Sequence, residues 1–231
     1  EMINDNIEQF FPIKNDEKRH FNDFNEADFI ELRMIYTKPE SSVYFLVLHK
    51  KSLYIFLLKK FIKPVLNKNE LREIMFCQNY YHRCLIKFYG FLKKENNVTG
   101  LIYEYYCNGS LMNYINKNSS EMFLLMSMKR IFEGIQYLQS NSLIHRDLKP
   151  GNILVDHDNK VYISDYETIR EIILKEENQN EEYTNDIGSF IYGSPEQHKG
   201  DFISFPADIY SFGQIVYFLF ENKDSSLSFQ K

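Results

Sequence analysis

The stretch His145-Arg146-Asp147-Leu148-Lys149-Pro150-Gly151-Asn152 decides how this chain is read. Upstream of it, Glu121–Gln139 places Leu124, Leu125, Met128, Ile131, Phe132, Ile135 and Leu138 at helical spacing, which predicts an amphipathic helix. Downstream, Ile153–Val155 and Val161–Ser164 read as short strands around the polar turn Asp156-His157-Asp158-Asn159. Asp165 follows Asp147 by 18 residues, at the end of the second strand. A polar loop set between such a helix and such a strand is the context that a catalytic loop needs.

Working outward, the rest of the second half is helix-rich. Gly109-Ser110 opens a short helical stretch from Leu111 to Asn116. Asp208–Phe220 is apolar almost all round, which predicts a buried helix. The charge-rich run Lys175–Glu182 reads as a solvated loop. The first half is strand-rich. Phe29–Ile35 alternates weakly. Val43–Leu48 and Leu53–Leu58, rich in Val, Tyr, Phe, Ile and Leu, flank a polar His49–Ser52 turn and predict a hairpin. Glu70–Tyr81 reads as a helix with Leu71, Ile74, Met75 and Gln78 on one face. Leu85–Leu92 and Leu101–Tyr106 read as two more strands around the turn Lys93–Thr99. A sheet-rich half followed by a helix-rich half predicts an α+β fold of two lobes.

Composition narrows the function classes. The chain has 231 residues, 44% hydrophobic and 26% charged, which is ordinary for a folded globular protein. The longest apolar runs, such as Val43–Leu48 and Ile215–Phe220, fall far short of the ~20 residues that span a membrane. The acidic, polar start EMINDNIEQFF is no secretory signal. A net charge of −5 makes no electrostatic case for nucleic acid. Cys77, Cys84 and Cys107 lack the spacing of a disulfide framework or zinc site; reduced thiols and a cytoplasmic location are the expectation.

With those residues in view, the chain resembles the eukaryotic protein kinase family over roughly residues 29–222. His145-Arg146-Asp147-Leu148-Lys149-Pro150-Gly151-Asn152 follows its H-R-D-L-K-x-x-N loop. Gly193-Ser194-Pro195-Glu196 sits where the family has A-P-E, and Asp208-Ile209-Tyr210-Ser211-Phe212-Gly213 matches the start of its buried central helix. The resemblance implies a bilobal fold: an antiparallel sheet plus one helix in the N-lobe, and a mainly helical C-lobe. It implies ATP and Mg²⁺ as cofactors and a protein Ser/Thr hydroxyl as acceptor. Phosphoryl transfer is mostly positioning and charge neutralisation. On this resemblance Asp147 orients the substrate hydroxyl as catalytic base, and Lys149 offsets charge on the γ-phosphate. Asn152 and Asp165 give hard oxygen ligands to Mg²⁺. His145 belongs to an internal spine, and Arg146 can hold a phosphorylated activation segment.

In the first lobe, Tyr54-Ile55-Phe56-Leu57-Leu58-Lys59 resembles the family's V-A-I-K strand. Strand alternation puts Leu57 and Lys59 on one face and Lys60 on the other. Glu73, nine residues before His82, is the expected partner of Lys59, with Glu70 as the rival. Glu104 to Tyr106 correspond to the adenine-binding hinge and Tyr103 to the gatekeeper. Ser189, seven residues before Glu196, together with Lys149 favours Ser/Thr over Tyr as acceptor. Tyr183 and Thr184 are candidate phosphosites.

Three departures bear on activity. Tyr36–Val43 reads Tyr-Thr-Lys-Pro-Glu-Ser-Ser-Val where the family has a Gly-rich loop. Pro39 removes a backbone donor and Glu40 brings negative charge. Asp165-Tyr166-Glu167 replaces D-F-G, and Leu57 replaces a small alanine beside the purine. The leading expectation is a protein Ser/Thr kinase. The alternatives are a pseudokinase that binds nucleotide or partners with little or no catalysis, and, far behind, a small-molecule phosphotransferase. The expected layout is a polar lead-in over 1–27, an N-lobe over 28–105 and a C-lobe over 106–231 that stops after its central helix. Such a C-lobe would leave the apolar Ile215–Phe220 uncovered.

Overall fold

The structure is a computed structural model and describes residues 21–63, 65–116, 119–172 and 191–221. The fold is α+β, and the chain divides into two compact units. One takes the described residues up to Tyr81 together with Ile86–Tyr105. The other takes His82–Leu85 and the described residues from Tyr106 onward.

The first unit is a six-stranded sheet in the order β1-β5-β6-β4-β3-β2. Strands β2 (Phe29–Lys38), β3 (Ser42–His49) and β4 (Ile55–Phe61) form consecutive antiparallel hairpins. The expected hairpin is present, but its second strand starts later because Leu53, at φ 58°, closes the turn. Strands β5 (Phe88–Lys94) and β6 (Asn97–Glu104) turn on Glu95 and Asn96, whose φ values of 50° and 67° are both left-handed. Such a two-residue turn matches the twist of its flanking strands. Much of the expected Lys93–Thr99 turn is therefore strand, with Lys93 opposite Val98.

Strand β1 (Asn22–Phe24) runs parallel to β5, so the end of the stretch read as a polar lead-in is a sheet edge. Phe24 packs with Phe29, Val47, Phe56, Leu58, Leu92 and Ile102 in a buried cluster. Gly90 permits the approach: a Cβ there would lie 2.0 Å from the Asn22 carbonyl oxygen. Helix α1 (Lys68–Asn79) begins at a capping box. The Asn67 side chain accepts the Asn69 and Glu70 N–H groups, and the Glu70 carboxylate accepts the Asn67 N–H. The helix buries Ile74, Met75, Phe76 and Cys77.

The second unit is mainly helical. It contains α2 (Leu111–Tyr114) and α3 (Glu121–Ser140), the short strands β7 (Leu143–Ile144), β8 (Ile153–Val155), β9 (Val161–Ile163) and β10 (Arg170–Glu171), and then α4 (Pro195–Lys199) and α5 (Pro206–Glu221). β8 pairs with β9 and β7 with β10, both antiparallel. Ser120 caps α3 by accepting the Phe123 N–H. The stripe α3 buries is narrower than expected. Leu124, Ile131, Ile135 and Leu138 are inside, whereas Leu125 and Phe132 are exposed.

Helix α5 departs from its expected burial. Ala207, Asp208, Ser211, Ile215 and Leu219 are buried at helical spacing, while Ile209, Tyr210, Tyr217 and Phe220 are exposed. An apolar sequence on every face carries no period, so it cannot show which face packs. Among the described residues no helix is long and apolar enough to cross a membrane. The three cysteines are free thiols, with Cys77 and Cys84 buried and Cys107 exposed.

Candidate active site

In the second unit, the loop between β7 and β8 is held by its backbone. Asp208, in the first turn of α5 and buried, accepts the His145 N–H at 2.7 Å and the Arg146 N–H at 3.0 Å. Burial pushes the Asp208 carboxyl up from its ordinary range; the nearby His145 and the two N–H groups oppose that shift. Arg146 has φ 72°, a left-handed conformation that costs a side-chain-bearing residue about 1–2 kcal/mol. The surroundings fix it there. The Gln197 amide donates to the Arg146 carbonyl at 2.8 Å, and its oxygen accepts the Ser194 N–H at 2.9 Å. His145 is fully buried, with Nε2 3.0 Å from the Ser164 carbonyl, and its own carbonyl accepts the Thr168 hydroxyl at 2.8 Å.

This scaffold brings three of the expected residues together. Lys149 Nζ lies 2.9 Å from Asp147 Oδ2. Asn152 Nδ2 donates to the Asp147 carbonyl at 2.8 Å and to Asp147 Oδ2 at 2.9 Å. With its NH₂ committed to Asp147, Asn152 keeps Oδ1 as an acceptor for something else. The Asn152 carbonyl accepts both the N–H and the hydroxyl of Ser164 at 2.9 Å, which ties the loop to the residue before Asp165. Asp165 is half-buried at φ 65°. An amide oxygen and a carboxylate are the hard donor types that suit Mg²⁺. Lys149 places a cation beside the Asp147 carboxylate.

The replaced D-F-G residues are accommodated. Tyr166 is fully buried and its hydroxyl donates to the Ile163 carbonyl at 3.0 Å, the partner a buried tyrosine requires. Glu167 is buried too, yet the left-handed conformation in this segment falls on Asp165 and not on Glu167. Glu167 therefore carries no cost of left-handed backbone.

The first unit carries a second constellation. Lys59 on β4 and Glu73 on α1 form a buried ion pair. Lys60 faces the other way and pairs with Glu26 at 2.6 Å. Glu70, the rival partner, is committed to the α1 cap and accepts the Ser41 hydroxyl at 3.2 Å. Leu57 shares the Lys59 face and sits between Leu46 and Tyr103 in register. The Tyr103 hydroxyl donates to Glu73 Oε1 at 2.8 Å. At the expected hinge, the Glu104 N–H donates to the Lys87 carbonyl at 2.9 Å, and the Glu104 carboxylate accepts the Tyr89 hydroxyl at 2.5 Å. Tyr106, in the second unit, is buried, its carbonyl accepting the Gly109 N–H at 3.1 Å.

The β2–β3 turn does not fit a phosphate cradle. The strands pair up to Lys38 and Ser42, and Ser41 N–H donates to the Lys38 carbonyl at 3.2 Å. The turn is therefore Pro39-Glu40-Ser41, with Glu40 at φ 61° and 3.7 Å from Lys63. It offers no glycine to let backbone approach an anion, and Pro39 has no N–H to donate.

Sequence reasoning missed three residues: Asp208 as the loop anchor, Gln197 as the bridge from α4, and the Tyr103 hydroxyl. An acidic residue in the first turn of an apolar helix was a usable signal for Asp208. The bond that Tyr103 makes spans 30 residues and had no local signal. Tyr183, Thr184, Ser189 and the run over 175–182 lie outside the described residues.

The family model for the protein kinase domain matches residues 39–228. The chain belongs to that family. It is 32% identical over 144 residues to a serine/threonine-protein kinase of Candida albicans, covering 56% of this chain and 15% of that protein. It is 31% identical over 137 residues to a mitogen-activated protein kinase kinase of Physcomitrium patens, covering 58% of this chain and 37% of that protein. A probable leucine-rich repeat receptor-like protein kinase of Arabidopsis thaliana is 32% identical over 163 residues, covering 67% of this chain and 14% of that protein. The match thus spans well under half the length of each of these relatives.

Proposed function

We propose that the chain is a protein Ser/Thr kinase that transfers the γ-phosphate of ATP to a protein hydroxyl. The observation that carries this reading is the loop in which Lys149 and Asn152 each reach Asp147 Oδ2 at 2.9 Å. Asp147 orients the acceptor hydroxyl and takes its proton. Lys149, already beside that carboxylate, offsets charge on the transferred group. Asn152 Oδ1 and the Asp165 carboxylate hold Mg²⁺, which neutralises phosphate charge when bound. Lys59, oriented by Glu73, contacts the α- and β-phosphates, and the Glu104 and Tyr106 backbones receive the adenine. Three cysteines without the spacing of a disulfide framework fit a reducing, cytoplasmic setting.

A second reading, a pseudokinase, is favoured by the Pro39-Glu40-Ser41 turn, which removes the phosphate cradle and adds an acidic side chain. Calorimetric titration of the full chain with Mg-ATP, run on the wild type and on Lys59→Ala, tests the proposal. Saturable binding that is lost in Lys59→Ala supports it. No heat in either protein refutes it.

A further inference from the structure

The Glu73 carboxylate has two oxygens, and both are used inside the first unit. Oε2 meets the Lys59 ammonium, and Oε1 accepts the Tyr103 hydroxyl at 2.8 Å. Cys77 Sγ, one helical turn beyond Glu73 on α1, lies 3.2 Å from the Tyr103 oxygen. The tyrosine proton points to the carboxylate, so the thiol is the donor in that second contact. Lys59, Glu73, Cys77 and Tyr103 are all at most 3% exposed. Strand register explains how they meet: β4 pairs Leu57 with Tyr103 and Lys59 with Leu101, so Tyr103 and Lys59 are near neighbours on adjoining strands. Burial, with the Cys77 and Glu73 groups, pushes the Tyr103 hydroxyl well above its usual range, so it stays protonated and stays a donor.

We propose that Tyr103 is a positioning residue for Glu73: its hydroxyl, backed by the Cys77 thiol, holds the carboxylate in the Lys59 ion pair. Two donors from two different strands converge on one α1 side chain. The helix is thereby fixed against the sheet by a polar bond as well as by its apolar face. The hydroxyl donates to a carboxylate that is 3% exposed, where a bond to a charged group counts for more than it does in water. For nucleotide handling the inference rests on the proposed kinase reading, in which Glu73 keeps Lys59 aimed at the phosphates.

The chain's own thiols supply a test that does not depend on activity. Cys77 reports on α1, buried Cys84 in the second unit reports global opening, and exposed Cys107 reports reagent access. Native labelling of the full chain with N-ethylmaleimide, resolved by peptide mass spectrometry, is compared for wild type, Tyr103→Phe, Glu73→Ala and the double variant. Loss of the hydroxyl is expected to speed Cys77 labelling by about tenfold, with Cys84 and Cys107 unchanged. In the Glu73→Ala background the same loss should add less, because only the Cys77 contact of the hydroxyl remains to be removed. Mg-ATP affinity should fall about fivefold in Tyr103→Phe, with the KM for protein substrate unchanged. An unchanged Cys77 rate, an equal rise at Cys84, or full additivity in the double variant overturns the proposal. If wild type binds no Mg-ATP, the kinase reading fails while the thiol cycle still decides the role of Tyr103.

Discussion

Replacing Asp208 by alanine removes the one side chain that accepts both the His145 and Arg146 N–H groups. Each such bond to a carboxylate contributes about 1.5–3 kcal/mol, so the gross loss is about 3–6 kcal/mol. Part of this is offset, because the variant no longer buries a charge; the raised Asp208 pKa shows that burial opposes ionisation. A net destabilisation of about 2–4 kcal/mol follows. With a urea slope of about 2 kcal/mol/M, the midpoint should fall by about 1–2 M. The chain has no tryptophan, so circular dichroism is the suitable signal. Amide exchange should accelerate at His145 and Arg146, since the left-handed Arg146 loses an anchor. The pH dependence has a definite sign. Asp208 titrates higher in the folded than in the unfolded chain, so its contribution is fully present below the ordinary aspartate range. It is lost as pH rises through the raised value. The gap between wild type and Asp208→Ala should therefore be widest in acid and narrow as pH climbs. An unchanged urea midpoint together with unchanged exchange at both amides would refute the reasoning.

Other outcomes follow from single contacts. Glu73→Ala removes one partner of the buried Lys59–Glu73 ion pair and should cost about 3–5 kcal/mol in chemical denaturation. Gly100→Ala places a Cβ 2.6 Å from the Lys59 carbonyl oxygen, a backbone atom; a loss of about 1–3 kcal/mol in thermal or urea unfolding is expected. Gly90→Ala puts a Cβ 2.0 Å from the Asn22 carbonyl and should release β1, read as faster amide exchange at Asn22–Phe24 with the rest of the sheet protected. Gln197→Ala removes the bonds to Ser194 and Arg146 and should cost about 1–3 kcal/mol in urea unfolding.

The parts of the fold that were legible in the sequence are those with local causes. The β3–β4 hairpin was readable because two runs of β-branched and aromatic residues flank the polar His49–Ser52 turn. The Lys59–Glu73 pairing was readable from strand alternation and the resemblance, and geometry separates it cleanly from Glu70, whose carboxylate is committed to a helix cap. Strand β1 was not readable. Asn22-Asp23-Phe24 has little strand propensity and exists because Phe24 finds a buried cluster and Gly90 leaves room. The turn within Lys93–Thr99 was readable, but its narrowing to Glu95-Asn96 was not, because neither residue is glycine although both adopt left-handed backbone. Asp208, Gln197 and Tyr103 act across 63, 51 and 30 residues of sequence, and no window of local pattern spans such distances.

Phosphate transfer tests the central claim most directly. The full chain is incubated with Mg²⁺ and γ-labelled ATP in the presence of a generic protein substrate, beside Asp147→Asn. The account predicts label on serine or threonine of the substrate with wild type. Loss of the Asp147 carboxylate should lower that labelling by at least about 100-fold. Equal labelling by the two proteins, or none by the wild type, would contradict it.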